Sequence, residues 1–151
     1  MKRRPTSERG QSLVELSISL LVLLYLLSGA VEFGLAFFQF VQLRDAAQEG
    51  ALYGSMNPGN PTDIEVRIRG SSSSPIDLSD PSLVTIDIQI DGVPIADAIA
   101  AHNACEGNGF EVRVSYNHVV FMPFMSRIIG ITVPLNAEVT DTILSPVCPT
   151  P

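Results

Sequence analysis

Two carboxylates bracket a run of residues apolar enough to enter a membrane: Glu15 and Glu32 within RGQSLVELSISLLVLLYLLSGAVEFG, Arg9 to Gly34. A carboxylate in lipid costs several kcal/mol unless it is paired or held near an interface. Uncleaved, Glu15 lies only a turn or so inside the run and snorkels to the near interface. Cleavage after Gly10 changes that chemistry. Gln11 becomes the first residue and carries a free amine of reference pKa about 8. Glu15 then sits four residues on, one helical turn away, where the opposite charges pair within the chain or between adjacent helices. The glycine, the acid and the apolar run thus read as one device. A cytoplasmic-side peptidase removes a basic leader, the helix stays in the bilayer, and a charge pair sets its register against another subunit.

The charge distribution supports this reading. The net charge is −7, yet residues 1–10 carry Lys2, Arg3, Arg4 and Arg9 against Glu8. A basic head directly before an apolar run holds an N-terminus in the cytoplasm, with everything beyond the run exported. The remaining acidic body has no basic patch, which excludes nucleic acid as the expected partner. Two cysteines, Cys105 and Cys148, fall in the exported part, where disulfides persist. Two cysteines allow one bridge, closing a loop of roughly 44 residues worth about 4 kcal/mol in the chain-entropy model. The alternative is two separate thiols.

The element that must position these groups is a helix. Leu16 to Val31 is uncharged, and no proline interrupts Gln11 to Gly54. About 20 residues span a bilayer core, whereas this segment reaches roughly 66 Å as one helix. It is therefore expected to protrude outside and enter the exported domain. Phe33, Phe37 and Phe40 recur at helical spacing as an aromatic stripe, followed by Ala47, Gly50, Ala51 and Gly54. Small residues let another backbone approach closely. Both stripes are expected to pack on the protein's own sheet; the competing reading sets part of this face against neighbouring copies. NPGNP, residues 57–61, ends the helix.

The quoted segments resemble a known family. Gly10 followed by Glu15 is similar to the processing site of type IV prepilins. RGQSLVEL, VEFG and LRDAAQEGALYGS are similar to TadE-like pseudopilins of tight-adherence pilus systems. The resemblance implies that Gly10 and Gln11 flank the scissile bond and that Glu15 is the fifth-position glutamate. It places Glu32, Phe33 and Gly34 in one family motif and Ala46, Ala47, Glu49, Gly50 and Ala51 in a second. Leu16 and Leu52 depart from the family pattern without touching the cleavage site. The implied partners are the membrane, a prepilin peptidase, other pilin subunits and the pilus assembly machinery. A rival lies in Ser28-Gly29-Ala30, whose small residues suit signal peptidase, although that cut would expose the apolar VEFGLAFFQF.

Beyond residue 57 the patterns give a small domain. Thr62 to Glu65 has capping-box form, opening a short helix to about Gly70, while Ile64, Val66 and Ile68 also alternate as in a strand; the resemblance favours the helix. Val84, Ile86, Ile88 and Ile90 share one strand face, closed by Asp91-Gly92. PIADAIAAHNA reads as one or two helical turns. Phe110, Val112, Val114 and Tyr116 alternate, as do Ile131, Val133, Leu135, Ala137 and Val139. Pro134, on the opposite parity, suits an edge strand. The expected fold class is α+β, pilin-like: a long N-terminal transmembrane-to-extracytoplasmic helix on a three- to four-stranded antiparallel sheet. The expected division is leader 1–10, transmembrane or filament-core helix 11–41, extracytoplasmic helix 42–56 and globular domain 57–151. Asn117 to Gly130 holds more apolar residues than a hairpin loop needs, leaving core and exposed patch both open.

His102 and His118 sit on dissimilar segments and read as surface residues without partners. No cofactor, metal site or small-molecule substrate is expected. HNACEGNG lacks the regular spacing of a calcium loop, and no phosphate loop or nucleophile elbow occurs. The chain reads as a peptidase's substrate rather than an enzyme. The expected function is a minor pilin or pseudopilin, single-pass in the inner or cytoplasmic membrane with its N-terminus inside and possible passage into a surface pilus. An uncleaved anchored, or secreted, extracytoplasmic binding module is the alternative.

Overall fold

The computed structural model describes residues 8–122 and 124–145. The first seven residues of the expected leader and Cys148 of the expected bridge fall outside them; Cys105 is not a free thiol. Helix α1 runs unbroken over Glu8–Met56, about 74 Å at 1.5 Å per residue. Its N-terminal half is long and apolar enough to cross a membrane, and none of that stretch is buried within the protein. Asn57 ends the helix, its N–H bonding back to the Tyr53 carbonyl at 3.0 Å.

Helix α2 (Pro61–Gly70) follows at once, settling the helix-or-strand ambiguity at 62–70. The capping box does not form. Asn60, not Thr62, occupies the N-cap and makes no side-chain cap bond. Pro61 opens the first turn, where a missing N–H leaves nothing unsatisfied, and Glu65 pairs with Arg69 at 2.8 Å.

Four antiparallel strands follow: β1 (Val84–Ile90), β2 (Val93–Pro94), β3 (Gly109–Val119) and β4 (Thr132–Thr142), in the order β2-β1-β3-β4. Helix α3 (Ile95–Ala100) leads from β2 toward β3, and the short α4 (Ser126–Ile129) sits between β3 and β4. The expected apolar parities hold: Val84, Ile88 and Ile90 of β1 and Phe110, Val112 and Val114 of β3 are buried. Pro134 lies on edge strand β4.

The sheet lies on the C-terminal half of α1. Leu43, Ala46, Ala47 and Ala51 are buried among Ile64, Ile68, Phe110 and Val112. Two glycines make this approach possible. A Cβ at Gly54 would overlap the ring of Phe110, and one at Gly50 would overlap Ile68. The small-residue stripe is thus covered by the protein's own domain. The aromatic stripe is not, which corrects the expectation. Only Phe40 packs against the core, while Phe33 and Phe37 stay exposed and stack on each other with ring centroids 6.1 Å apart. The domain reaches lower than this, to Glu32, but Phe33 and Phe37 lie on a different face of the helix.

A substitution pair separates glycines that the packing requires from those it does not. Gly54→Ala, pressed against the wholly buried Phe110 ring, is expected to lower stability by about 1–3 kcal/mol. Gly34→Ala, with nothing within 4 Å of an added Cβ, is expected to be neutral or to gain up to about 1 kcal/mol from helix propensity. Urea unfolding of the detergent-solubilised protein, followed by near-ultraviolet circular dichroism, measures both.

Candidate functional site at the helix–domain junction

The acid that closes the apolar run is not left to solvent. Glu32 is 3% exposed, on the same face of α1 as Leu43, Ala46 and Ala47. One carboxylate oxygen accepts the Nε2–H of His118 at 2.8 Å and the backbone N–H of Phe121 at 3.0 Å. The other accepts the N–H of Met122 at 3.0 Å. Gln39, two turns above Glu32, faces His118 Nδ1. With the Gln39 oxygen toward it, Nδ1 donates; with the amide turned over, Nδ1 accepts. In both cases Nε2 donates to Glu32.

This overturns the reading of His118 as a surface residue without a partner. It is 3% exposed and belongs to a buried polar triad. The signal was present in the sequence, since the inward parity of Phe110, Val112, Val114 and Tyr116 continues two residues further to His118. The alternation marks the strand only as far as Tyr116, with the loop segment from Asn117, whereas β3 runs to Val119. The junction matters because β3 is centrally placed and its last turn of pairing, His118 to Val133 and Val119 to Thr132, opens the apolar loop toward β4. Glu32 therefore fixes where that loop leaves the sheet.

Helix α1 carries two more polar ties. Gln42 exchanges a complete amide pair with the backbone of Ile76, its Nε2 donating to the carbonyl at 2.7 Å and its Oε1 accepting the N–H at 3.0 Å. Higher still, the Leu144 N–H donates to the Ser55 carbonyl at 2.8 Å. Glu32, Gln42 and Ser55 thus fasten three separate chain segments to one helix.

The other expected residues divide by position. Gly10, Gln11 and Glu15 lie in continuous helix and are exposed, with open space around Gly10. Gln11 and Glu15 share a helix face four residues apart. Of the second motif, Ala46, Ala47, Gly50 and Ala51 are buried under the domain, and Glu49 pairs with Arg67 of α2 at 3.2 Å. The first motif splits: Glu32 turns into the domain, while Phe33 and Gly34 remain on the uncovered side. Among the described residues, no group of three or more His, Cys, Asp or Glu could hold a metal ion.

Removing the carboxylate isolates two backbone N–H groups and a ring nitrogen together. Glu32→Ala is expected to destabilise the junction by about 3 kcal/mol. Hydrogen exchange reads this locally: the Phe121 and Met122 amides lose protection, while β1 amides keep theirs.

No curated protein and no solved structure gives a significant match to the chain. Residues 10–52 match the family model described as TadE-like protein. From the open glycine at the head of the apolar run, through Glu32, to the small-residue face beneath the sheet, α1 carries the TadE-like segment that its motifs resemble.

Proposed function

We propose that the chain is a minor pilin or pseudopilin of a tight-adherence, type IV-like pilus. It is inserted with its basic head in the cytoplasm, cut between Gly10 and Gln11 by a prepilin peptidase, and held by α1 until assembly machinery extracts it. The carrying observation is the contrast between glycines. Packing explains Gly50 and Gly54, because a side chain at either would collide with the domain. Among the described residues nothing packs where a side chain at Gly10 would stand; like Gly34 it has open space around it in continuous exposed helix, but it alone sits where the basic head meets the apolar run. A glycine that the protein's own packing does not need, set where basic head meets apolar run, fits a requirement imposed by another molecule, here a peptidase that must reach the backbone.

The exposed N-terminal half of α1 supports the rest. A bare apolar helix needs lipid around it before assembly and neighbouring helices after it. In the second setting the Gln11 amine and the Glu15 carboxylate, one turn apart on one face, can compensate each other or their counterparts on an adjacent subunit. The globular domain adds bulk beyond a plain helical pilin, which favours a low-copy accessory role. In this reading the chain is a structural part of the assembly.

Mass spectrometry of the N-terminus of protein purified from envelopes tests cleavage. The expected start is Gln11, whereas Met1 would identify an uncleaved anchor and Val31 a secreted domain. Gly10→Val is expected to leave the leader attached. Glu15→Ala is expected to insert normally and to be processed, with reduced recovery in sheared pilus fractions compared with the membrane pool.

A further inference from the structure

The segment between β3 and β4 is tied against α1 at an unexpected height. The ring of Phe124 packs on Tyr25, centroids 5.4 Å apart, and the side chain of Met125 lies beside Gly29. Tyr25 and Gly29 belong to the uncharged part of the apolar run, below Glu32. From Glu32 down to Tyr25 is about 10 Å along the helix. The loop therefore descends beside the bare helix instead of staying with the sheet. Its outer surface is apolar: Phe121 is 80% exposed, Ile131 74% and Ile128 66%, with Val119, Phe124 and Ile129 also exposed.

We propose that this loop, residues 119–122 and 124–131, is a membrane-immersed wedge that seats the domain in the outer leaflet of the bilayer before filament assembly. The inference rests on α1 spanning the membrane as proposed above. Three observations favour lipid as the occupant. The patch is continuous with the lipid-facing helix and at the same depth: with about 20 residues needed for the bilayer core, a span from Leu13 to Glu32 leaves the Tyr25 contact roughly 10 Å below its outer boundary. That depth is typical of interfacially bound apolar segments.

Second, much of this irregular backbone has its N–H groups satisfied internally, as entry into hydrocarbon favours. Phe121 and Met122 donate to Glu32. Met125 and Ser126 turn back to Met122, Ile128 and Ile129 to Met125, and Val120 reaches across to Ile131. Third, Arg127 is exposed within this apolar turn, a long cationic side chain able to reach lipid phosphates while its neighbours stay in the acyl region. Glu32 then has a second task. Its hydrogen bonds hold the wedge closed against the helix while shielding its own charge from lipid.

The chain contains no tryptophan, so single tryptophans report depth without background. Phe121→Trp and Ile128→Trp test the wedge, Leu23→Trp reports the span, and Val66→Trp on α2 is the exposed control. Each full chain is reconstituted in phosphatidylcholine vesicles at high lipid-to-protein ratio and quenched with acyl-brominated lipids. Support consists of quenching at 121 and 128 within about twofold of that at Leu23, with none at Val66. Quenching at Leu23 alone overturns the wedge while leaving the spanning helix in place. A blue-shifted but unquenched Phe121→Trp or Ile128→Trp means that a second protein copy covers the patch, and also overturns it. An unquenched Leu23→Trp removes the spanning helix and the wedge with it.

Discussion

A carboxylate on an apolar helix must be given partners by something else, and in this protein the partner is the loop that follows β3. Two successive backbone amides and an imidazole nitrogen converge on Glu32. No single element could supply them. The helix contributes the acid, the end of the central strand contributes His118, and the first turn of the loop contributes the amides. Because an unpaired carboxylate buried there is strongly unfavourable, the three are fixed relative to one another. The register of the sheet on α1 follows from that point upward.

Above the junction the covered side of α1 changes chemistry with height. At Glu32 it is ionic, at Gln42 a neutral amide pairs with the backbone of Ile76, and from Leu43 to Gly54 it is small and apolar. Polar ties give direction and depth, because each demands one partner at one distance. The small residues give proximity, letting the buried ring of Phe110 take the space where a Cβ would stand. The domain therefore cannot slide along α1 by a turn without losing both kinds of fit.

Below the junction, among the described residues, the helix is covered only where the loop reaches Tyr25 and Gly29. The two halves of α1 thus obey different solvents. The upper half buries its face as a core helix of a small α+β domain does. The lower half presents aliphatic side chains outward and is long and apolar enough to cross a membrane. Gly10 and Glu15 belong to this exposed lower half.

Much of this was legible in the residues. Uninterrupted apolar periodicity marks α1, period-two alternation marks three of the strands, and the spacing of Ala47, Gly50, Ala51 and Gly54 marks a face built for close approach. These are local patterns, set by the 3.6- and 2-residue repeats of the backbone itself. The helical start at Pro61 rather than a Thr62 cap, and the exposure of Phe33 and Phe37, were not legible, since each depends on where the domain ends. Above all, the pairing of Glu32 with His118 joins residues 86 positions apart. The sequence by itself determined the apolar run, its two acids and the alternating strands. Only the tertiary structure decided that one acid would be buried against a histidine and a turn while the other stayed bare. A charge finds its partner through space, and no repeat along the chain encodes that distance.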